Sequence, residues 1–485
     1  MEKVSGVNVG VVVCTWYATT ADRFNIGQMT IDILPDDALI EIFSFYLVEA
    51  SNRIEPWLPL VHVCRRWRSI VFTSPRRLDV RVFYTPERQV KLMLDTWPNL
   101  LIHIFAYGYS GLPHYKKNIH NLVIALEHSD RIRQVQLMQF SCSELERILP
   151  AMQKPFPALT SLLITCGNYN SPSAMAVLPQ AFLGGSAQHL RSCTLWDIEC
   201  PGIWKLLLTA NYLVTLILWN IPPSMYTSLQ EMTTCLSAML NLKSLSIGFQ
   251  SPQSLHDRCD RPPLTRIVLP SLTEFKFQVM SEYINDFVSR IDVPLLNKVD
   301  ITFFYQPIFD TPRLRNFLAR IEKFKAHSRG GVVFCDSFIE FKLEPGSLSL
   351  GILRRGSGRL VSSMAQLCGS SLHLPSALKC LDIREDFPHA LDRQNGVENP
   401  QWLDLLHPFK GVEDLCLGKG PEVYYVPALQ ELSGERVTEV LPALQNIFIQ
   451  GLEPSGPIWE ALGQFVASRQ LSGLPVAVHS WDGQS

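Results

Sequence analysis

The chain has 485 residues, of which 47% are apolar and 18% charged, a composition that can bury an interior and excludes wholesale disorder. Its 43 basic and 45 acidic residues nearly cancel, and the formal net charge of −2 argues against a dedicated nucleic-acid binder. We expect no membrane span, because no apolar run reaches the roughly 20 residues that cross a bilayer.

The twelve cysteines include no Cys-x-x-Cys pair, and the chain has no Asn-x-Ser/Thr sequon. This usage predicts reduced, mostly buried thiols and a cytoplasmic or nuclear protein. Residues 1–30 contain a short apolar run that could be taken for a signal peptide, but Glu2 cancels the charge of Lys3. We therefore expect a disordered or loosely ordered extension there.

Residues 31–80 begin with a predicted helix that starts at Pro35 and ends near Glu49. Proline suits the first helical position, and Asp36 and Asp37 follow in the first turn, where carboxylates favour the positive end of the helix dipole. The apolar residues recur at helical spacing. They are Leu39, Ile42, Phe43 and Leu47.

A second helix is predicted from about Pro59, and Thr73-Ser74-Pro75 ends it. Its apolar stripe comprises Leu60, Val63, Cys64, Trp67, Ile70 and Val71. Two short amphipathic helices in about fifty residues cannot bury both of their faces alone. This unit must therefore pack on a partner, on the rest of the chain, or on both.

This pair of helices resembles the F-box of fungal F-box domain-containing proteins. The family pattern is Leu-Pro and an acid, then an Ile-Phe pair and a leucine, a Val-Cys-Arg-x-Trp block, Ser-Pro and a final apolar residue. The matching positions are Leu34-Pro35-Asp36, Ile42-Phe43, Leu47, Val63-Cys64-Arg65-Arg66-Trp67, Ser74-Pro75 and Leu78. The connection from Val48 to Leu58 is longer than in compact family members.

The resemblance implies binding to the Skp-type adaptor of a ubiquitin ligase and, through it, to a cullin. By analogy, six residues lie in or near the adaptor interface, where apolar and aromatic anchors are typical of binding hot spots. They are Leu34, Pro35, Ile42, Phe43, Val63 and Trp67. Trp67 could equally be a core tryptophan beneath the two helices.

After a transitional segment, residues 81–130, an apolar-x-x-apolar-x-apolar signature recurs through residues 131–470. Its copies are separated by 23 residues (Leu190 to Leu213) to 42 residues (Leu296 to Phe338). They begin at Ile132, Leu159, Leu190, Leu213, Leu242, Leu272, Leu296, Phe338, Leu378, Val412 and Leu444. Helical patterns lie between many of the copies.

A short strand followed by a helix at this period predicts an α/β fold, a degenerate leucine-rich-repeat horseshoe or solenoid that follows a small helical F-box. An ordinary α/β domain with leucine-rich strands is the alternative. Residues 250–263, 326–330, 344–358 and 385–399 are expected to be loops that break the stack. Ile458–Arg469 could be a capping helix, and residues 471–485 a tail.

In each predicted strand, the residues between the apolar positions should face the concave side of the horseshoe. We expect this surface to bind an unidentified protein target, because it mixes charge, hydroxyls and aromatic rings. Trp196 and Trp219 occupy equivalent positions of adjacent repeats and should lie side by side, unless another segment covers them. The other candidate target-binding residues are Lys276, Lys298 and Asp300, and Asp382 and Arg384 belong to the same predicted surface.

No catalytic motif is present: the sequence has no Gly-x-Ser-x-Gly, no phosphate-binding loop and no His-Glu-x-x-His. His256 and Cys259 lack further ligands, so we expect neither a metal nor a cofactor. The leading hypothesis is a non-enzymatic substrate-recognition subunit of a Skp/cullin/F-box ubiquitin ligase. The alternatives are a leucine-rich-repeat scaffold without a ligase role and a diverged α/β enzyme.

Overall fold

A computed structural model describes most of the chain, which divides into two compact units. The first is Met1–Phe83 with Trp97–Leu101, and the second is Tyr84–Thr96 with Ile102–Ser485. The described residues are 31–49, 55–74, 78, 81–84, 91, 94, 100–108, 119–167, 175–226, 228–252, 266–335, 338–353, 360–371, 375–386, 402–418, 429–430, 438–451 and 456–481. The extension predicted for residues 1–30 lies outside them.

The first unit is helical, as predicted. After a 3-10 turn, Ile31–Ile33, helix α1 covers Asp36–Glu49 and begins with the two predicted acids in its first turn. The remaining helices are α2, Leu58–Val61, and α3, Arg65–Thr73. A short strand, β1, follows at Arg81–Tyr84.

The prediction of a single second helix from Pro59 is wrong, because a turn separates two shorter helices, α2 and α3. Cys64 has an extended backbone (φ −156°, ψ 171°) and caps α3, with its Sγ accepting a hydrogen bond from the amide of Trp67 at 3.4 Å. The guanidinium of Arg68 donates from Nε to the carbonyl of Val61 at 2.9 Å, which ties α3 back to the end of α2. The break leaves Val63 in a connecting turn.

Aromatic contacts and a hydrogen bond hold the first unit together. Phe43 of α1 packs on Trp67 of α3, with ring centroids 4.7 Å apart. The indole of buried Trp57 meets Phe72 edge-on at 5.8 Å, and its Nε1 donates to the carbonyl of Arg81 at 2.7 Å. These contacts join all three helices to the start of β1.

The second unit is built on one large, mostly parallel sheet. Its strands are β2 (Leu101–Tyr107), β3 (Ile132–Phe140), β4 (Ser161–Cys166), β5 (Ser192–Trp196), β6 (Thr215–Ile221), β7 (Ser244–Phe249), β8 (Glu274–Val279), β9 (Lys298–Phe304), β10 (Arg329–Cys335), β11 (Phe338–Leu343), β12 (Leu348–Leu353), β13 (Cys380–Asp386), β14 (Asp414–Leu417), β15 (Asn446–Gln450) and β16 (Ala477–Trp481). From β2 to β9 their spatial order is their chain order.

Helices connect most of the parallel strands. They are α4 (Ile119–Leu126), α5 (Cys142–Ile148), α6 (Ile203–Leu207), α7 (Leu229–Ser237), α8 (Ser281–Ser289), α9 (Pro312–Ala319), α10 (Glu322–Lys325), α11 (Leu360–Ser371), α12 (Trp402–Leu406) and α13 (Pro457–Leu471). Local signals set their starts: Ser141 and Glu144 form a capping box before α5, and Pro312 opens α9. Strand–helix alternation is the pattern that favours a parallel sheet.

The residues of the recurring apolar signature align from strand to strand in the register of the sheet. Its second residues align from strand to strand: Val135 with Leu162, Leu162 with Cys193, Cys193 with Leu216, Leu216 with Leu245, Leu245 with Phe275, and Phe275 with Val299. The same row resumes as Leu381, Leu415 and Ile447 in β13 to β15. All of these residues are at most 2% exposed, so the row runs through the core.

The parallel array predicted around Phe338 is interrupted. Strand β11 runs antiparallel to both β10 and β12, so the spatial order becomes β9-β12-β11-β10-β13. β10 begins within the expected loop 326–330, and β12 lies within the expected loop 344–358, so these parts of the two ranges are strand. Most of the expected loops 250–263 and 385–399 lies outside the described residues. Phe341 and Leu343 are still fully buried, because alternation along a strand places the same side chains inward in either direction.

The ends of the sheet extend beyond the predicted repeat region. Strand β2 pairs in parallel with β3, so the sheet begins before residue 131. The predicted tail contains β16, which pairs in parallel with β15, and helix α13 therefore precedes a final strand. The fully buried Arg469 of α13 donates to the carbonyls of Leu441 and Leu444, both at 3.3 Å.

We predict that Phe275→Ala lowers the free energy of unfolding by about 3–5 kcal/mol, because it removes a ring from a packed aromatic cluster. Phe275 is 1% exposed, and its ring centroid lies 4.4 Å from that of Phe277 and 5.9 Å from that of Phe287. The matched control is Phe105→Ala on β2, where the ring is 45% exposed and the change should stay within about 0.5 kcal/mol. Urea unfolding compares the two; equal effects would contradict this account of the core.

Candidate functional site

The first unit carries an apolar surface around α1 and the turn before α3. The side chains of Phe45, Ile33, Val63 and Ile42 are 72%, 64%, 58% and 39% exposed, respectively. Exposed apolar side chains grouped on one module are typical of interaction sites, and Ile42 and Phe45 lie one turn apart on α1. We name Ile33, Ile42, Phe45 and Val63 the helical patch.

The residues predicted to contact the adaptor divide by exposure. Pro35, Ile42 and Val63 are exposed, and Leu34 and Trp67 are half-buried. Phe43 is 1% exposed and packed on Trp67, so it supports the patch from beneath and is not part of its surface. Sequence reasoning missed Ile33 and Phe45, because both lie off the apolar stripe of α1.

An ion pair fixes the start of α1 against α3. The guanidinium of Arg66 donates from Nη2 to Asp36 Oδ1 at 2.7 Å and also to the carbonyl of Leu34. The Arg-rich helix predicted from sequence therefore uses two of its arginines internally, Arg66 here and Arg68 at the end of α2. The Leu34-Pro35 turn is held in place beside the patch.

The second candidate surface is the outward side of β4 to β9, which we name the ladder face. Its side chains alternate with the buried apolar row and lie in register from strand to strand. They are Ser161, Leu163 and Thr165; Ser192, Thr194 and Trp196; Thr215, Ile217 and Trp219; Ser244, Ser246 and Gly248; Glu274, Lys276 and Gln278; and Lys298, Asp300 and Thr302. The predicted target-binding residues all lie on it.

Trp196 and Trp219 are direct neighbours across β5 and β6, with ring centroids 6.0 Å apart and planes tilted by 51°. Trp196 is 45% exposed, whereas Trp219 is half-buried because its ring lies over Gly248. A Cβ at Gly248 would come within 2.7 Å of that ring, so glycine makes the space for it. The two rings form one angled aromatic surface.

Ion pairs cover the charged end of the ladder face. Lys276 Nζ lies 2.7 Å from Asp300 Oδ2 and 5.3 Å from the ring centroid of Trp219, a cation–π distance. Lys298 Nζ approaches Glu274 Oε1 at 4.0 Å. Each predicted charged contact residue therefore has a partner within the sheet, and the surface presents paired charges.

The residues directly after the two tryptophans, Asp197 and Asn220, are joined by their side chains. Asp197 and Asn220 have positive φ values of 58° and 59°, a conformation that Asp and Asn tolerate better than most residues. The amide of Asn220 donates to the Asp197 carboxylate. Burial raises the pKa of Asp197, and this hydrogen bond lowers it in part. The bond ties together the strand ends that carry the aromatic surface.

Asp382, predicted to face a target, is instead an internal anchor. It is 2% exposed and receives hydrogen bonds from Arg329 Nε at 2.8 Å and Nη2 at 3.3 Å, and Arg384 approaches it at 3.5 Å. The bond with Asp382 raises the pKa of Arg329, so this arginine stays charged. The pair joins β10 to β13, where the parallel array resumes.

Other kinds of site find no support in the described part of the chain. Its residues include no group of three His, Cys, Asp or Glu side chains that could hold a metal ion. The described cysteines are free thiols, and burial raises the pKa of Cys193 and of Cys368 to about 12. None of the described helices is long and apolar enough to cross a membrane.

Comparison with known families agrees with the helical unit. The family model of the F-box-like domain matches residues 31–81, which include α1, α2, α3 and the helical patch. This segment is an F-box-like domain, a module that generally docks on Skp-type adaptors, and it indicates a substrate-adaptor role in general terms. No curated protein matches the chain.

We predict that Gly248→Ala displaces the ring of Trp219 and shifts the tryptophan fluorescence and near-ultraviolet circular dichroism. The new Cβ would lie 2.7 Å from ring atoms Cδ2 and Cε3, closer than van der Waals contact allows. Gly351→Ala is the control, because it lies in the same row on β12 and its nearest neighbour, Thr302 Oγ1, is 3.6 Å away. Identical spectra for the two variants would refute the placement of Trp219.

Proposed function

We propose that the chain is the substrate-recognition subunit of a Skp/cullin/F-box-type ubiquitin ligase. One observation carries the proposal. The segment that matches the F-box-like family also bears the exposed apolar side chains of the helical patch. Phe45 and Val63 are 72% and 58% exposed, which suits side chains that a partner covers. A cullin would join through the adaptor.

We further propose that the parallel part of the second unit is a degenerate leucine-rich-repeat array. Two observations support this: the repeated apolar signature aligns in register, and helices alternate with the strands of the sheet. Each repeat would then bury its apolar face on its neighbours, as in other repeat proteins. The antiparallel strand β11 departs from that architecture.

The ladder face is our proposed binding surface for a protein target. Trp196 and Trp219 supply exposed aromatic area in the centre, and the paired residues Lys276, Lys298 and Asp300 flank it. Aromatic residues with a polar surround are the composition of protein interfaces. On this proposal the chain is not an enzyme: it raises the effective concentration of the target at a catalyst carried by other subunits.

The test of adaptor docking is co-purification of the full chain with a purified Skp-type adaptor. We expect the wild type to capture the adaptor and Val63→Glu to weaken capture at least about tenfold, because it places a charge in the helical patch. Leu34→Ala/Pro35→Ala should also weaken capture, because it alters the turn that Arg66 holds.

Leu471→Glu is the matched control, since Leu471 is 90% exposed at the end of α13 and lies outside the F-box-like domain. This variant should capture the adaptor as the wild type does. Failure of the wild type would reject the ligase role and favour a scaffold without it. Unchanged capture by Val63→Glu would reject the helical patch as the docking surface.

A further inference from the structure

The N-terminal part of the ladder face carries no charged side chain. Its outward positions on β4 to β7 are hydroxyl, aliphatic, aromatic or glycine residues, and the first charges are Glu274 and Lys276 on β8. We name this uncharged part, residues 161–165, 192–196, 215–219 and 244–248, the neutral strip. Interface centres are similarly depleted of charge and enriched in tryptophan.

The neutral strip is ordered in rows across the strands. One row consists of hydroxyls, Ser161, Ser192, Thr215 and Ser244, which align in register. A second row of Leu163, Thr194, Ile217 and Ser246 lies between it and the two tryptophans. A ligand that crosses the strands would meet hydroxyl donors on one side and aromatic rings on the other.

Three of the four residues in the hydroxyl row are available to a ligand. Ser161, Ser192 and Thr215 are half-buried, and their hydroxyls make no hydrogen bond to any other residue that the structure describes. The fourth, Ser244, donates from its hydroxyl to Glu274 Oε2 at 3.3 Å. A half-buried hydroxyl can donate to a carbonyl without the cost of removing a charge from water. The strip therefore favours an uncharged ligand that is rich in hydrogen-bond acceptors.

We propose that the neutral strip binds a proline-containing, uncharged segment of the target in the polyproline II conformation, running across the strands. This inference rests on the proposed target-binding role of the ladder face. Such a segment leaves its carbonyls without internal partners, and its prolines pack on aromatic surfaces. Trp196 provides the open ring of the angled aromatic surface, beside the ring of Trp219 on which Lys276 Nζ lies at 5.3 Å. The hydroxyls of Ser161, Ser192 and Thr215 provide the donors.

The repeat distance of a polyproline II segment matches the distance between alternate strands of the sheet. Polyproline II has three residues per turn and rises about 3.1 Å per residue, so one face repeats every 9.3 Å or so. Neighbouring strands are about 4.8 Å apart, so two strand spacings measure roughly 9.6 Å. Carbonyls three residues apart in the segment would therefore meet every second strand, at Ser161 of β4 and Thr215 of β6.

Charge disfavours an anionic ligand at the same place. The nearest cations on the ladder face, Lys276 and Lys298, already pair with Asp300 and Glu274. A phosphate or a nucleic-acid backbone would have to compete with those carboxylates. A neutral segment leaves both pairs intact, so its binding should change little with salt.

The probe is an acetylated and amidated hexaproline peptide, titrated into the full chain by calorimetry. We expect saturable binding that Trp196→Ala weakens at least about tenfold, because truncation of a central tryptophan is costly. The control is Trp459→Ala, since Trp459 is 46% exposed on α13 and Trp196 is 45% exposed on the strip. The control variant should bind the peptide as the wild type does.

Three outcomes would overturn the inference: no hexaproline binding by the wild type, equal loss in both tryptophan variants, or saturable binding of cellohexaose in its place, which would make the strip a carbohydrate surface. Adaptor capture by the same preparations separates this test from the proposed ligase role. Capture without hexaproline binding rejects the proline-segment inference alone. Hexaproline binding without capture rejects adaptor docking alone.

Discussion

The second unit depends on one constraint, the register of the buried apolar row. Parallel strands cannot pair through tight hairpins, so each must return through a longer connection and still align with its neighbour. The row from Val135 to Phe275 achieves this because one core position recurs in every strand. Since side chains alternate, the same alignment places Trp196 beside Trp219 and Lys276 beside Asp300 on the opposite side.

The first unit differs from the second because its core is small. The rings of Phe43 and Trp67 pack against each other, and the guanidinium of Arg66 donates to the carbonyl of Leu34. These internal contacts leave Ile42, Phe45 and Val63 without cover among the described residues. An F-box-like segment therefore separates residues that maintain the fold from residues that can meet a partner.

Much of the fold and part of the candidate surface could be predicted from sequence, because both follow from periodicity. The apolar residues of helix α1 recur at the helical period, and those of β3 to β9 recur at the same positions in each strand. The register then places the two tryptophans side by side. Three features could not be predicted: the helix cap at Cys64, the antiparallel direction of strand β11 and the burial of Asp382. Cysteine is a rare cap, apolar alternation is the same in both strand directions, and Arg329 is distant in sequence from Asp382.

The β11–β12 pair preserves the register of the sheet that contains it. Val299, Leu348, Leu343, Gly330 and Leu381 form one continuous row across β9, β12, β11, β10 and β13. Only β11 runs against the others, so the direction of the array is the same on both sides of it. Evolution could therefore gain or lose the β11–β12 pair as a spacer. Such a change would alter the length of the array without changing the face that its later strands present.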